Sequence, residues 1–152
     1  MDTMELKIKA LDARIGKEIP APRYATEGAA AMDICACIDE PVTIPAGERS
    51  VISTGIAIAL PSKDYVALMF VRSGLGIKKG IALSNGVGVI DSDYRGEIRV
   101  GLSNNSNQDY TVMPGDRISQ LMVVPVMCPT PVFVDELDET ERGEGGLGST
   151  GR

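Results

Sequence analysis

Histidine and tryptophan are both missing from the 152 residues, and aromatic side chains make up only 4%. Without imidazole, the one side chain that ordinarily titrates near neutrality is gone, so proton transfer near pH 7 falls to a carboxylate or, less readily, to a perturbed Cys or Lys. With so few rings, the core must be assembled from Val, Ile, Leu, Ala and Met. Cysteine is scarce: Cys35, Cys37 and Cys128 make neither an even disulfide framework nor a familiar zinc spacing. They read as buried free thiols, with Cys35 and Cys37 on one strand face. No apolar run approaches the length of a membrane span, and Met1-Asp2-Thr3-Met4-Glu5 lacks the charged-then-apolar start of a signal peptide. The expected compartment is reducing and cytoplasmic, with no membrane partner. Positive charge is also in deficit. A formal charge of -6 and a pI near 4.7 argue against wrapping a nucleic-acid backbone, an affinity that rests on Lys and Arg replacing counterions. Any phosphate site must be local.

What is present is 43% hydrophobic residues, 17 Gly and 9 Pro. That is enough apolar material for one domain with a real core and many turns. Leu6-Lys7-Ile8-Lys9-Ala10 alternates at period two, and short apolar runs follow at Met32 to Ile38, Val51 to Leu60 and Tyr65 to Val71. Turn chemistry separates them at Pro20-Ala21-Pro22, Pro45-Ala46-Gly47, Pro61-Ser62-Lys63, Asn104 to Asn107 and Pro114-Gly115-Asp116. Many short strands with no long helical period between them imply an all-β fold, an antiparallel sandwich or jelly roll, rather than βαβ units. One helical turn is expected where Ser73 caps Gly74 to Lys79 and Gly80 ends it. With Arg72 beside its N-terminus, Arg72-Ser73-Gly74 reads either as a phosphate cradle or as an ordinary turn.

The densest chemistry lies in Asn85-Gly86-Val87-Gly88-Val89-Ile90-Asp91-Ser92-Asp93-Tyr94-Arg95-Gly96. Val87, Val89 and Ile90 read as a strand, Asp91-Ser92-Asp93 as a turn, and Ile98 with Val100 as the returning strand of a β-hairpin. A rigid hairpin can hold a carboxylate beside a pocket, which makes Asp91 the leading general base in a chain without His; taken singly, an Asp there also suits turn formation. The chain changes character after Val134, dividing into a β-sandwich over residues 1–134 and a linker with a tail over 135–152. Asp135 to Glu141 is an acidic spacer. Arg142-Gly143-Glu144-Gly145-Gly146-Leu147-Gly148-Ser149-Thr150-Gly151 is too glycine-rich to hold a fixed shape unaided, and reads equally as a linker or as a phosphate-binding flap. At about 3.3 Å per residue the segment from Asp135 could stretch on the order of 60 Å, far enough to serve a site on another subunit.

Five ordered blocks of the chain resemble those of the trimeric dUTP pyrophosphatases (dUTPases). They are Ala30-Ala31-Met32-Asp33-Ile34, Arg72-Ser73-Gly74-Leu75, Gly88 to Gly96, Gly115-Asp116-Arg117-Ile118-Ser119-Gln120-Leu121 and Arg142 to Gly151. The resemblance implies a jelly-roll (β-clip) homotrimer with active sites at subunit junctions, closed by the tail. It implies hydrolysis of dUTP at the α-phosphorus to dUMP and pyrophosphate, which limits uracil in DNA and supplies dUMP for dTMP synthesis. By the same carry-over Asp91 deprotonates the attacking water, and Tyr94 sets its ring against deoxyribose where a 2′-hydroxyl would clash. Asn85, aided by the backbone as far as Gly88, reads the uracil edge. Arg72, Ser73, Gly74 and Gln120 bind the triphosphate, and Arg142, Gly148, Ser149 and Thr150 close over its γ end. Asp33 helps indirectly or only anchors its strand; Asp93 supports the turn or pairs with Arg95. Mg2+ is implied through phosphates and water, with no direct protein ligand. Leu147 stands where the family usually has an aromatic residue, so stacking on the base should be weaker. Two other readings of the same fold are a dCTP deaminase-like enzyme and a nucleotide-responsive regulatory interaction protein.

Overall fold

The computed structural model describes residues 4–151; Met1–Thr3, part of the signal-peptide argument, lie outside the described residues. The alternating runs form strands because their apolar residues fill one side of a pleat. In chain order these are β1 (Lys7–Ala10), β2 (Arg23–Tyr24), β3 (Met32–Cys35), β4 (Val42–Ile44), β5 (Arg49–Ser53), β6 (Ile56–Ala59) and β7 (Tyr65–Phe70). They continue with β8 (Ile81–Leu83), β9 (Gly88–Ile90), β10 (Arg99–Asn104), β11 (Tyr110–Val112) and β12 (Arg117–Pro125). Every pairing between them is antiparallel. The largest sheet has five strands in the order β2-β3-β12-β7-β9, and a three-stranded sheet runs β5-β10-β8. Two short pairs, β1-β6 and β11-β4, complete the all-β architecture.

The core is aliphatic, as the scarcity of aromatics required. Ile34, Ile44, Ile52, Ala67, Ile81, Leu102, Val112, Ile118 and Leu121 are all fully or almost fully buried; among the described residues no aromatic is buried with them, and half-buried Tyr110 packs against the cluster. Each such Ile or Leu contributes about 1.5–3 kcal/mol relative to an exposed position. β10 shows the expected alternation: Val100, Leu102 and Asn104 point inward, while Arg99 is exposed. Buried Asn104 satisfies its polar atoms locally. Its amide donates to the carbonyls of Ile44 (2.9 Å) and Gln108 (2.7 Å), and its oxygen accepts from Ser106.

Two sequence expectations are corrected by backbone geometry. The run Val51 to Leu60 is two strands rather than one, because Gly55 takes the left-handed conformation (φ +69°) and sends β6 to pair with β1 while β5 pairs with β10. The expected hairpin of Val87–Ile90 with Ile98–Val100 does not form: β9 pairs with β7 and β10 with β5 and β8, so the two strands belong to different sheets. The intervening chain turns at Asp91, whose carbonyl accepts the Tyr94 N–H at 3.2 Å. The start of β6 then captures it, where the Ile98 N–H donates to the Ile56 carbonyl at 2.9 Å. The segment Asp91–Ile98 is therefore a crossover between sheets.

The helical turn also departs from expectation. It is a five-residue π-type turn, Gly74–Lys78, and the Ser73 side chain makes no capping hydrogen bond. Gly80 does follow it in the left-handed conformation. So short a turn carries little dipole, which leaves the anion argument to side chains. Beyond β12 no strand forms among the described residues, and Met127, Val132, Phe133 and Leu137 lie fully in the open.

Gly55 offers a direct test of the strand break. A Cβ there would lie 2.8 Å from Cys37 Sγ in a conformation that L-residues avoid. Gly55→Ala is expected to cost about 1–3 kcal/mol, read as a lower midpoint in urea unfolding; unchanged stability would show that the turn relaxes freely.

Candidate active site

The crossover between sheets builds a cavity of about 600 Å³. Asn85, Gly88, Asp91 and Tyr94 line it, together with Glu97. Asn85 sits in the turn entering β9, where Gly86 (φ +74°) donates its N–H to the Leu83 carbonyl at 3.0 Å. Gly88 is opposite Met69 in the β7–β9 ladder, and a Cβ on it would stand 2.8 Å from Met69 Cβ. Only glycine lets β9 lie this close while leaving its backbone open to the cavity.

Asp91 follows Ile90, whose burial fixes the end of β9. Its carbonyl is spent on the turn, but among the described residues its carboxylate enters no ion pair. Asp91 is part of the cavity lining, and no side-chain hydrogen bond engages its carboxylate among the described residues. Asp93 and Arg95 do not pair with each other: the Arg95 guanidinium donates to the carbonyls of Ser92 (2.8 Å) and Tyr94 (3.1 Å), bracing the turn from outside. The Tyr94 phenol donates to the Glu97 carbonyl at 2.8 Å, which holds the ring against Gly96.

A second cluster lies on the five-stranded sheet. Gln120 is opposite both Asp33 and Phe70, and Asp33 is opposite Arg23. Directly opposed residues share a face, so Arg23, Asp33, Gln120 and Phe70 form one row across four strands. Arg72 extends the row past β7 and pairs with Asp33 at 3.2 Å, while Arg117 reaches the other Asp33 oxygen at 3.4 Å. Gln120 is fixed by donating to the Val71 carbonyl at 3.1 Å. Two guanidinium groups on one carboxylate, with Arg23 at the opposing register position, leave local positive charge in a chain of net charge -6. Asp33 is thus the anchor of the arginines as well as of its strand.

Arg23, Arg117 and Glu97 were not singled out from sequence. Arg117 lies inside the quoted block Gly115–Leu121, and its two-residue offset from Ser119 was the available signal. Arg23 is brought in only by strand register, and Glu97 falls one residue beyond the block ending at Gly96. The tail residues are not brought to the cavity. Arg142 donates to the Gly145 carbonyl at 2.8 Å, Ser149 N–H to the Gly146 carbonyl at 2.9 Å, and Leu147 is fully exposed. Among the described residues, the tail's hydrogen bonds all run within residues 140–151. Arg72, Ser73, Gly74 and Gln120 likewise stand outside the cavity that holds Asp91.

Among the described residues no three acidic or thiol side chains converge to cage a metal ion. Asp33 is already engaged by two arginines. A divalent ion carried on phosphate oxygens and water would need no such cage.

An all-β domain that sets a free carboxylate and a pinned phenol in one cavity, with an arginine row on a neighbouring sheet face, has the makings of a nucleotide hydrolase. Comparison with known proteins gives the family. Residues 17–151 match the dUTPase family model. The deoxyuridine 5'-triphosphate nucleotidohydrolase of Idiomarina loihiensis is 51% identical over 97% of this chain and 98% of its own length. That of Aeromonas hydrophila is 47% identical over 99% of both. The dUTPase of Staphylococcus bacteriophage 80alpha, solved with dUPNHPP, is 28% identical with a TM-score of 0.85, covering 99% of this chain and 100% of that one. The chain belongs to the dUTPase family and has its jelly-roll fold.

The thiols divide by environment. Burial raises the Cys35 pKa, helped by the Asp33 charge and opposed by Arg117, Arg23 and Arg72. Burial likewise raises Cys37, with Asp12 adding to it. Cys128 is exposed, contrary to the expectation of three buried thiols. Raised values leave little thiolate at neutral pH, so in the native protein only Cys128 should react quickly with a thiol reagent at pH 7. Rapid titration of all three would show that the Cys35–Cys37 strand end opens readily.

Proposed function

We propose that this dUTP diphosphatase cleaves dUTP by in-line attack of a water that Asp91 deprotonates. The observation that carries the reading is the meeting of Asn85, Gly88, Asp91 and Tyr94 in one cavity, with the Asp91 carboxylate unpaired. The water oxygen bonds to the α-phosphorus, its proton passes to Asp91, and the bond from that phosphorus to the bridging oxygen breaks to release pyrophosphate. Asn85 and the backbone near Gly88 read uracil; cytosine, with donor and acceptor reversed, leaves those groups unpaired. The Tyr94 ring excludes a 2′-hydroxyl. Leu147 covers the base with an apolar surface smaller than a ring, retaining part of the stacking energy.

The triphosphate is bound by Arg72, Ser73, Gly74 and Gln120, with Asp33 holding Arg72 and Arg117 in place. Mg2+ bound through the triphosphate oxygens and water would offset phosphate charge and help order the triphosphate. No protein side chain holds it directly.

The chain acts as a homotrimer in the cytoplasm, without nucleic-acid or membrane partners, and its sites lie at subunit junctions. Two observations support this assembly. The arginine row and the Asp91 cavity do not share a pocket within one chain, and Val132, Phe133 and Leu137 are left uncovered. Residues 1–134 form the catalytic body, and 135–152 a linker and lid whose Arg142, Gly148, Ser149 and Thr150 close over the γ-phosphate. Asp93 supports the turn. In the cell the reaction keeps dUTP out of DNA and supplies dUMP for dTMP synthesis.

The deciding assay follows pyrophosphate from dUTP, dCTP and UTP with Mg2+. Asp91→Asn is expected to lower kcat by about 10²–10⁴-fold with the fold intact, since general-base catalysis contributes that much. Equal rates would remove Asp91 from the mechanism, and ammonia released from dCTP would assign a deaminase instead. Deleting residues 142–152 should leave the unfolding midpoint unchanged while dUTP turnover collapses; full activity in the truncated protein would exclude the lid.

A further inference from the structure

The Tyr94 phenol can exclude a 2′-hydroxyl only if its acceptor stays still, and that acceptor is the carbonyl of Glu97. The Glu97 side chain turns away from Tyr94 toward the β5–β6 corner. There Oε2 accepts the Gly55 N–H at 3.2 Å and Oε1 accepts the Ser53 hydroxyl at 3.3 Å. Arg99 Nε adds a third contact at 3.2 Å, charge-assisted though largely exposed. The next residue is fastened to the same corner by its backbone: the Thr54 hydroxyl donates to the Ile98 carbonyl at 2.5 Å, and the Ile98 N–H to the Ile56 carbonyl at 2.9 Å. Behind the phenol lies Gly96, where an added Cβ would stand 2.5 Å from the Tyr94 oxygen. The ring is therefore clasped between Gly96 and a carbonyl that the Glu97 carboxylate anchors.

We infer that Glu97 is a positioning residue for sugar selection, its carboxylate pinning residue 97 to Ser53 and Gly55 so that the carbonyl holds the Tyr94 ring in place. It touches no substrate. Its contribution is to discrimination, because steric rejection of one oxygen atom fails when the rejecting ring can drift by about 1 Å. The inference rests on the reading of Tyr94 as the gate against ribonucleotides.

The test compares kcat/KM for dUTP and UTP, with Mg2+, in the wild type and in Glu97→Ala, Glu97→Gln and Glu97→Asp, alongside thermal unfolding. Glu97→Ala should lower the dUTP:UTP ratio by about fivefold, the effect of one lost hydrogen bond, chiefly through a lower KM for UTP. Glu97→Gln, which keeps an acceptor for the Gly55 N–H, should hold the wild-type ratio. If Glu97→Ala fails to fold, Glu97→Asp replaces it, being one methylene too short to reach Gly55, and should show the same loss. In a Tyr94→Phe background the Ala substitution should have little further effect on the ratio. A wild-type ratio in folded Glu97→Ala or Glu97→Asp, or a Gln variant as permissive as Ala, would overturn the role of Glu97. A wild type that shows no preference for dUTP would instead overturn the reading of Tyr94.

Discussion

The register of β12 between β3 and β7 is the constraint on which the rest of the arrangement depends. Because Gln120 stands opposite Asp33 on one side and Phe70 on the other, residues distant in sequence fall on one face at one height. A slip of one residue would turn Gln120 inward and present Leu121 in its place. Burial of Ile118 and Leu121 opposes such a slip, since each would have to leave the core. The bulge between Arg117 and Ser119 then re-aims Arg117 toward Asp33 without disturbing that burial. A chain of net charge -6 thereby gathers two guanidinium groups on a single carboxylate, with a third arginine, Arg23, opposite it in register.

The other half of the site comes from a failure of local pairing. β9 and β10 are separated by a crossover rather than a tight turn, and the chain changes sheets between Asp91 and Ile98. A hairpin would have paired β9 with β10 and closed the space between them. The change of sheet opens it instead, with Asp91 and Tyr94 both lining the space. The crossover keeps its shape through side chain to backbone contacts on carbonyls, from Tyr94, Arg95 and Thr54, because loop backbone lacks a ladder to satisfy it.

In the proposed reaction, selection for uracil and deoxyribose and the activation of water would make different demands on this geometry. Asp91 needs a cavity-facing carboxylate without a competing cation, and the arginines are kept on the neighbouring sheet face by Asp33. Tyr94 as a sugar gate would need immobility, and its phenol is held on the carbonyl of Glu97, whose side chain bonds to Ser53 and Gly55. Gly88 needs the absence of a side chain, which proximity to Met69 enforces. These are packing and charge-placement conditions, and none requires an imidazole.

Much of this was legible before any fold was known. Missing aromatics pointed to an aliphatic core, and short alternating runs between Pro and Gly turns to antiparallel strands. The motif order pointed to Asn85, Gly88, Asp91 and Tyr94, all of which line one cavity. These features are local or compositional, and so survive being read one residue at a time. What the sequence could not decide was which strand lies beside which. The hairpin expected at Asp91, the single strand expected at Val51–Leu60, and the overlooked Arg23, Arg117 and Glu97 all turn on pairings across tens of residues. Local propensity favours a strand without naming its neighbour; the partner is chosen by burial of the whole aliphatic core and by the reversal at Gly55, which only the tertiary structure settles.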